Sequence, residues 1–518
     1  AHSPSAHSPS AHSPLAHSLA DQRILVIGAG PAGLAAAVTA VELGLHVVLV
    51  DEAAAAGGQY LSPDNWSGDE HIGAEHRFST RAERDGAALV ARAQALSRAA
   101  DSRLELRWGA TVWSLGPNSD GRVPGLTAMV YSRAGDGVQA NSECMEADVV
   151  ILATGARETV TPFPGWILPG VMTVGAAQLL IKRHGVSPAG PGQRVLIAGS
   201  GPLLLPAAAK LIEAGAHVVG VLEATHAGAS TLRKAASSGV LEWAPALWDR
   251  RGESWHYLSA LRRGRVPYLF GRAVIRATGT DRVEAVDIAK LDRTGSPLPG
   301  RTETWPVDLL CVGYGLAPNI ELAQLAGARV IYSAALGGWA VQADEESGVR
   351  TNVPGLFAAG ETSGISGASS ALLSGRTAAM SAAVTLGRLP QAALQVDLVR
   401  TARRRRQNAR FGALVNLMFG APDILTRSPD DTPICRCEEV TAGEVRAAIA
   451  AGARSLDALK PALRVGQGLC QGRTCGPALA RLLAAETGRP VEAGGLFQTR
   501  PPVKPVPLAV VAGQEGGR

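Results

Sequence analysis

The amino-acid sequence predicts an α/β protein in which two parallel-sheet folds are followed by a small helical domain. Short apolar stretches alternate with longer alanine-rich segments along residues 21–395, which is the pattern of parallel strands joined by helices. Two of these stretches run into glycine-rich turns, and four of the six cysteines are confined to residues 435–475. A chain of 518 residues has room for about three domains of ordinary size.

Composition and charge exclude several classes of protein. The 50 Lys and Arg residues barely exceed the 45 Asp and Glu residues, so the basic face of a nucleic-acid-binding protein is not expected. Six cysteines are too few for a disulfide scaffold. The longest uncharged stretch, residues 24–41, has the length of a candidate membrane helix, but glycines and a proline interrupt it. The first 20 residues lack the basic start and apolar block of a secretory signal, so we expect a cytoplasmic protein with no membrane span.

Three segments flank or link the folded parts. Residues 1–20 repeat AHSPS and have no apolar face to bury, so we expect a disordered tail. Residues 496–518 are rich in proline and glycine and are predicted to form a second, extended tail that either lies across the surface or hangs free. Residues 396–430 are interpreted as a basic helical linker, whose run Arg403 to Arg406 is either a solvated helix face or a dock for an acidic partner.

The first glycine-rich turn has the parts of a dinucleotide-binding site. An apolar strand at residues 24–27 runs into Gly28-x-Gly30-x-x-Gly33, and a helix follows that ends near residue 44. The first glycine makes the tight turn, the second lets the backbone approach a pyrophosphate, and Gly33 allows helix and strand to pack closely. The pyrophosphate is expected at the N-terminus of this helix, beside Pro31 and Ala32.

An acidic residue follows the second strand of the same unit. Asp51 comes 23 residues after Gly28, which is the usual place for an acid that accepts hydrogen bonds from a ribose. Its neighbour Glu52 is an equally acceptable candidate for this contact. With its strand, helix, second strand and acid in place, the segment predicts a bound dinucleotide.

Further segments resemble those that line FAD in the flavoproteins with two dinucleotide-binding folds. In those proteins the backbone of one strand meets the adenine, and a late strand ends in an acid that binds the ribityl chain of the flavin. Many relatives have Asp at the latter position, so Glu361 reaches one methylene further. The resemblance implies that the cofactor is FAD and that its site includes Gly58, Gln59, Val112, Ala153, Thr154, Gly155, Gly360 and Glu361.

A second glycine-rich turn repeats the pattern incompletely. Gly199 and Gly201 follow an apolar strand and Glu223 ends the next one, but Leu204 stands in the place of the third glycine. Without that glycine, helix and strand pack less closely, and Glu223 would favour a ribose that carries no phosphate. NAD(H), another adenine nucleotide such as ATP, and an empty structural fold all stay open. We expect this fold at residues 166–310, inserted into an FAD-binding domain at residues 21–165 and 311–395.

Four cysteines predict a metal centre near the C-terminus. Cys435 and Cys437 are separated by 32 residues from Cys470 and Cys475, a C-x-C and C-x4-C arrangement that matches neither zinc ribbons nor plant-type ferredoxins. A [2Fe-2S] cluster, a zinc ion and unligated thiols are the alternatives. The spacing resembles the bacterioferritin-associated-ferredoxin type of [2Fe-2S] domain, which we place at residues 431–495. No C-x-x-C pair accompanies the flavin segments, so dithiol chemistry is not expected.

The combined motifs resemble one family. Pro162 to Trp166, Leu168 to Met172, Gly199 to Leu204 and the terminal cysteine domain are similar to the large FAD subunits of bacterial amine and imino-acid dehydrogenase complexes. Their substrates are opines, D-hydroxyproline or glycine. The resemblance implies that a beta subunit with its own FAD oxidises the C–N bond, and that the large subunit conducts electrons to an acceptor, sometimes with a small ferredoxin-like subunit.

No set of residues in the sequence must act as acid and base on a substrate, and His184 and His256 are isolated. No catalytic residue is therefore predicted. One alternative is a self-contained NAD(P)H-dependent flavin reductase that passes electrons to its cluster or to a ferredoxin, which Leu204 argues against. Another alternative is a zinc-stabilised nucleotide-binding scaffold without catalytic activity.

Overall fold

A computed structural model describes residues 22–61, 81–118, 125–133, 140–226 and 251–512. The predicted disordered tail at residues 1–20 lies outside these residues. Within them, no helix combines the length and apolar character needed to cross a membrane.

Short strands and longer helices make up the described residues. The strands are β1 (Arg23–Ile27), β2 (His46–Val50), β3 (Leu104–Arg107), β4 (Ala110–Pro117), β5 (Leu126–Arg133), β6 (Ala140–Ala147), β7 (Val149–Leu152), β8 (Ala156–Glu158), β9 (Val171–Thr173), β10 (Arg194–Gly199), β11 (His217–Glu223), β12 (Tyr268–Phe270), β13 (Arg272–Thr278), β14 (Ala285–Leu291), β15 (Pro297–Pro306), β16 (Leu309–Gly313), β17 (Leu316–Pro318), β18 (Val330–Ser333), β19 (Gly338–Val341), β20 (Leu356–Ala358), β21 (Pro433–Cys435) and β22 (Val440–Thr441). The helices are α1 (Pro31–Glu42), α2 (Arg81–Ser97), α3 (Val174–His184), α4 (Leu204–Glu213), α5 (Arg251–Arg263), α6 (Glu321–Leu325), α7 (Ala368–Thr385), α8 (Gln391–Met418), α9 (Ala442–Ala450), α10 (Leu456–Leu463), α11 (Cys475–Thr487) and α12 (Leu508–Ala512).

The first fold is built on a parallel sheet with the strand order β20-β7-β1-β2-β3. Side chains of a strand alternate between its faces. Ile24 therefore packs with helices α1, α2 and α7, whereas Leu25 packs with the antiparallel sheet β4-β5-β6. Helix α7 approaches α1 so closely that a Cβ on Gly375 would lie 2.0 Å from the carbonyl oxygen of Ala32. Small side chains on these helices let the layers meet.

The second fold repeats this plan with the parallel order β12-β11-β10-β16-β9 and the antiparallel sheet β13-β14-β15. Strand β16 pairs with β10 along its whole length, from Leu309 opposite Val195 to Gly313 opposite Gly199. The predicted boundary between residues 310 and 311 cuts this strand, so it is corrected to a position after Gly313. The apolar run at residues 309–312 suited a strand of either sheet, and only the pairing decides between them.

Helix α8 connects the nucleotide folds to the C-terminal domain and begins five residues before the predicted linker, at Gln391. Of its basic run, Arg403, Arg404 and Arg406 are exposed. Arg405 instead turns inward and donates hydrogen bonds to the backbone oxygens of residues 346 and 347. The run is thus mostly a solvated face, interrupted by one structural arginine.

The C-terminal domain has its own apolar core, formed by β21, β22 and helices α9 to α11. A capping box starts α9, in which Thr441 and Glu444 each bond the other's backbone amide. The indole Nε1 of Trp166 donates a 2.7 Å hydrogen bond to the carbonyl oxygen of Pro433. The buried guanidinium of Arg481 reaches the carbonyl oxygen of Pro422 at 3.0 Å. The first contact seats the domain on the second fold, and the second joins it to the segment that follows α8.

The last described segment lies against the first fold, which agrees with one of the two arrangements predicted for it, and does not hang free. Val503 is 2% exposed and belongs to the core beneath the first sheet. The segment then ends in the short helix α12. The prediction rested on its proline content, which excludes regular helix or sheet but does not prevent docking through single apolar side chains.

Candidate functional site

The first glycine turn has the backbone geometry of an anion-binding site. Gly28 adopts a φ of +103°, and a Cβ there would lie 2.3 Å from the carbonyl oxygen of Ala153. A Cβ on Gly33 would lie 1.7 Å from the carbonyl oxygen of Gly28. Gly30 precedes α1 without a side-chain cap, and Pro31 takes the first position of the helix. The amides at this helix end are therefore available to a pyrophosphate.

The two predicted ribose acids have different surroundings. The carboxylate of Asp51 accepts hydrogen bonds from the backbone amides of Ala29 at 2.5 Å and Ala53 at 2.8 Å. Burial raises the pKa of Asp51, while these two amide bonds oppose the shift. Glu52 is paired with Lys504, with 2.8 Å between carboxylate oxygen and Nζ. Asp51 thus braces the glycine turn, and each of its oxygens keeps a lone pair for a ligand.

The other segments predicted for FAD converge on the same turn. A Cβ on Gly58 would lie 2.8 Å from the Cα atom of Gly30, and Gln59 Nε2 donates to the carbonyl oxygen of Ala156 at 3.2 Å. Thr154 and Asn319 exchange two side-chain to backbone hydrogen bonds, of 2.8 and 2.9 Å. Most of the residues predicted for FAD line one cavity of about 2510 Å³, namely Gly28, Gly30, Pro31, Ala32, Asp51, Glu52, Gly58, Gln59, Val112, Ala153, Thr154, Gly155 and Glu361.

Glu361 places a buried carboxylate in this cavity. It follows β20 and Gly360, whose φ of +70° brings its Cα hydrogen against the side chain of Ala32. Burial raises the pKa of Glu361, and the amide of Gly367 opposes the shift. A buried carboxylate with so little support from the protein is suited to accept hydrogen bonds from ligand hydroxyls. The residues present therefore fit the ribityl contact that the sequence implied.

The second glycine turn has a different environment. A Cβ on Gly199 would lie 1.8 Å from the carbonyl oxygen of Gly313, so this glycine serves the contact between two strands. Gly201 has a φ of +114°, and Phe419, just after α8, lies 3.6 Å from its Cβ position. Leu204, in the place of the third glycine, is buried in the core between α4 and the sheet. Residues 200–203 of this turn nevertheless line the same cavity as the first turn.

Glu223 is fully buried, and its carboxylate is occupied by protein donors. It accepts hydrogen bonds from the amide of Gly201 at 3.0 Å, from the amide and hydroxyl of Thr225 at 2.9 and 2.7 Å, and from the hydroxyl of Tyr268 at 3.3 Å. Burial next to this carboxylate raises the pKa of Tyr268. The ribose contact predicted for Glu223 would thus compete with four existing hydrogen bonds.

The four C-terminal cysteines lie together in the small domain. Among the described residues, no three His, Cys, Asp or Glu side chains surround one point as ligands of a single metal ion. The thiols instead form a chain of side-chain hydrogen bonds, in the order Cys435, Cys475, Cys470 and Cys437. A chain of sulfurs suits a cluster in which different cysteines bind different irons better than it suits one tetrahedral zinc ion.

Backbone amides also point at these sulfurs. The amides of residues 437 and 438 bond Cys435, and those of residues 472 and 474 bond Cys470. The hydrogen bond from Cys475 is the largest cause that lowers the pKa of both Cys435 and Cys470. A Cβ on Gly468 would lie 2.3 Å from the Cβ of Cys437. The loops thus favour the thiolate form, which binds iron, at Cys435 and Cys470, whereas burial raises the pKa of Cys437.

Three charged side chains connect the two cofactor sites. Arg157 Nη1 lies 2.9 Å from Glu321 Oε1, and Arg473 Nε lies 3.6 Å from the same oxygen. Arg157 follows the segment Thr154 to Ala156 of the flavin site, whereas Arg473 lies between Cys470 and Cys475. Burial lowers the pKa of Arg157, and Glu321 opposes the shift. No sequence motif includes Arg157 or Glu321. Of the three residues, only Arg473 could have been found from the sequence, because it lies within the C-x4-C loop.

Together with two family matches, these features define a flavoprotein oxidoreductase with two dinucleotide-binding folds and a [2Fe-2S] domain. The chain belongs to the pyridine nucleotide-disulphide oxidoreductase family, whose model matches residues 22–387. Residues 433–485 match the BFD-like [2Fe-2S] binding domain. The predictions of the fold class, of an FAD-dependent oxidoreductase and of the cofactors FAD and [2Fe-2S] are confirmed.

Relatives with known names are similar over nearly the whole chain. The chain is 32% identical to a subunit of opine oxidase from Agrobacterium tumefaciens strain Ach5, covering 94% of this chain and 91% of the relative. It is also 32% identical to hydrogen cyanide synthase subunit HcnB of Pseudomonas aeruginosa, covering 94% and 97%. Both relatives are named as subunits, which supports a partner subunit in general and confirms the predicted resemblance.

A solved structure shares the fold of the whole chain. L-proline dehydrogenase from P. horikoshii superposes with a TM-score of 0.63 at 18% identity, covering 95% of this chain and 80% of that one. At this identity the likeness concerns the fold alone.

Proposed function

We propose that the chain is the electron-transfer large subunit of an amine or imino-acid dehydrogenase complex acting on an opine, D-hydroxyproline or a glycine-type substrate. A beta subunit with its own FAD would carry the substrate site. When bound, FAD supplies a two-electron acceptor and a [2Fe-2S] cluster supplies single-electron transfer, so one chain can couple the two. The names of the relatives support a subunit role but leave the substrate of this chain open.

The observation that carries the proposal is that the two cofactor sites border one cavity. Residues of the glycine turn line it on one side, and the loop residues Gln471, Gly472 and Arg473 line it on the other. The hydrogen bonds and charges of Arg157, Glu321 and Arg473 hold this loop against the flavin site. This arrangement of the two sites supports an exchange of electrons between them, which is the requirement for a conduit.

The lining of the cavity also favours oxidation of the substrate elsewhere. Over the described residues, no histidine and no cysteine lines the cavity. His256 is engaged with Glu213 at 3.0 Å, away from the cavity. Such a lining offers no neutral imidazole as a base for the substrate nitrogen, which agrees with a separate subunit that performs this step.

A competing flavin reductase needs a reduced nicotinamide at the second fold. The four hydrogen bonds that Glu223 already accepts disfavour a ribose contact there, and Leu204 stands in the place of the third glycine. The purified holoprotein should therefore keep its flavin absorbance when mixed anaerobically with NADH or NADPH. Rapid bleaching with either would overturn the proposed role and support the reductase.

The decisive experiment adds the beta subunit. The chain alone, mixed anaerobically with an opine, proline, D-hydroxyproline, sarcosine or glycine, should keep its flavin oxidised. Co-expression with a candidate FAD-containing beta subunit should give substrate-dependent bleaching and an electron paramagnetic resonance signal from the cluster. A matched Cys470→Ser variant should still bleach in the complex but lose that signal. Turnover by the isolated chain at the rate of the complex would refute the proposal.

A further inference from the structure

Residues 496–507 form a strap that runs from the cysteine loops to the adenosine end of the flavin site. Every residue from Leu496 to Lys504 lines the shared cavity. Sequence patterns indicated only a tail for these residues, and none of the motifs includes them. The strap therefore forms part of the wall of the cavity, but no motif assigns it a function.

The strap is anchored on the cluster side by an aromatic ring and a hydrogen bond. Phe497 lies against two glycines of the cysteine loops, so that a Cβ on Gly472 would come within 2.4 Å of its ring and one on Gly466 within 3.1 Å. Gln471 Nε2 donates a 2.7 Å hydrogen bond to the carbonyl oxygen of Pro502. These glycines thus accommodate the strap as well as the cysteine loop.

On the flavin side, the strap docks at the strand and the acid assigned to the adenosine. The amide of Val503 donates a 2.9 Å hydrogen bond to the carbonyl oxygen of Trp113, the neighbour of Val112 on the edge strand β4. The side chain of Val503 is 2% exposed. Lys504 Nζ then meets the carboxylate of Glu52 at 2.8 Å.

We propose that this strap is part of the FAD-binding site, and that it closes the adenosine end of the cavity once the cofactor is in place. Lys504 neutralises Glu52, a carboxylate that would otherwise repel the pyrophosphate. Burial of the apolar side chain of Val503 stabilises the docking of the strap on the first fold. The inference depends on the FAD site alone and not on the proposed partner, so its test can fail without affecting that proposal.

The first test compares two valines of the same C-terminal segment in the full-length holoprotein. Val503→Asp forces a carboxylate into an apolar site, so it should detach the strap and raise the rate of FAD dissociation by about tenfold or more. Val511→Asp changes a valine that is 40% exposed, and its rate should stay within about twofold of the wild type. Release is measured from the rise in free-flavin fluorescence, and iron content checks that the cluster domain is intact. A folded Val503→Asp variant that keeps the wild-type rate would overturn the proposal.

The second test addresses Lys504. Lys504→Glu places two carboxylates together and should raise the dissociation rate by about two- to fivefold, since the pair is partly exposed. The control is Arg293→Glu, at an exposed arginine of the hairpin between β14 and β15, which should leave the rate unchanged. Equal effects of the two reversals would reject a local role for Lys504.

A measurement without substitutions keeps the proposal testable if Val503→Asp does not fold. Hydrogen exchange followed by mass spectrometry is compared between the holoprotein and the protein stripped of FAD. The amide of Val503 should exchange about tenfold faster or more after FAD is removed, because the strap is then free to open. The same exchange in both forms would contradict closure upon the cofactor.

Discussion

Loss of the Glu321 carboxylate is predicted to destabilise the fold, although this side chain is not one of the residues assigned to a cofactor. Its carboxylate lies between two guanidinium groups, and the side chains of Arg157, Glu321 and Arg473 are 23%, 17% and 15% exposed. Glu321→Gln removes the only negative charge of this group and keeps the shape of the side chain. Arg157 then stays buried with neutral acceptors alone, the carbonyl oxygen of Pro318 at 3.2 Å and the side-chain oxygen of Asn319 at 3.0 Å.

The expected loss in the free energy of unfolding follows from the burial of the Arg157–Glu321 ion pair. Removal of one partner from a buried ion pair costs about 3 to 5 kcal/mol, and the two neutral acceptors of Arg157 place this site at the lower end. We therefore expect Glu321→Gln to lower the free energy of unfolding by about 3 kcal/mol. Urea unfolding of the apoprotein at neutral pH measures it as a lower midpoint at an unchanged slope.

Two further variants test the reasoning. Glu345→Gln changes an exposed glutamate and should shift the free energy of unfolding by less than about 0.5 kcal/mol. Glu321→Gln leaves both Arg157 and Arg473 without a carboxylate partner. The double variant Arg157→Met/Glu321→Gln removes one of these two charges, so it should recover part of the stability that Glu321→Gln loses. A loss below about 1 kcal/mol in the single variant, or a double variant less stable than the single one, would refute the account.

Three other predictions concern the cofactor sites. Gly33→Ala should abolish stoichiometric FAD, because its Cβ would lie 1.7 Å from the carbonyl oxygen of Gly28; flavin content after gel filtration measures this. Gly468→Ala should cost most of the iron and the visible absorbance of the cluster, because its Cβ would lie 2.3 Å from the Cβ of Cys437. Glu361→Gln should stabilise the apoprotein at neutral pH. Burial raises the pKa of this carboxyl above its ordinary value of 4.5, so its charged form destabilises the fold as the pH rises through that raised pKa.

Each of these predictions has a control. Gly116→Ala and Gly420→Ala place a Cβ in open space, and neither should change flavin or iron content. For Glu361→Gln, the melting temperatures of variant and wild type should converge near pH 4.5 and separate as the pH rises. Parallel melting curves across that range would contradict a buried, destabilising charge, and full flavin content in Gly33→Ala would contradict the steric argument.

Local motifs in the sequence were sufficient for the parts of the site that depend on backbone conformation and ligand spacing. The turn at Gly28 requires a positive φ and a close approach of chain segments, which only glycine allows. The spacing of Cys435, Cys437, Cys470 and Cys475 likewise predicted a metal centre, and its resemblance to a known type of [2Fe-2S] domain indicated a cluster. Such features can be recognised in a sequence because each depends on residues close in sequence or on a rare residue type.

The surroundings of the second glycine turn were harder to predict from the sequence. Leu204 indicated from the sequence alone that this site is unusual. The contact of Phe419 with Gly201 joins residues more than two hundred positions apart, and the burial of Glu223 depends on Tyr268 of another strand. Neither periodicity nor residue spacing reveals such contacts. The sequence alone therefore could not decide between NAD(H), another adenine nucleotide and an empty second fold.

By itself, the sequence determined the fold class and the cofactors FAD and [2Fe-2S], because glycine conformation, alternating apolar runs and ligand spacing are local properties of the chain. Only the tertiary structure decided how the two cofactor sites are joined. Arg157, Glu321 and Arg473 meet from three distant parts of the chain, and Val503 closes an edge of the first fold from a segment that looked like a tail. These contacts arise from packing of whole domains, which places side chains together without leaving a pattern among their sequence neighbours.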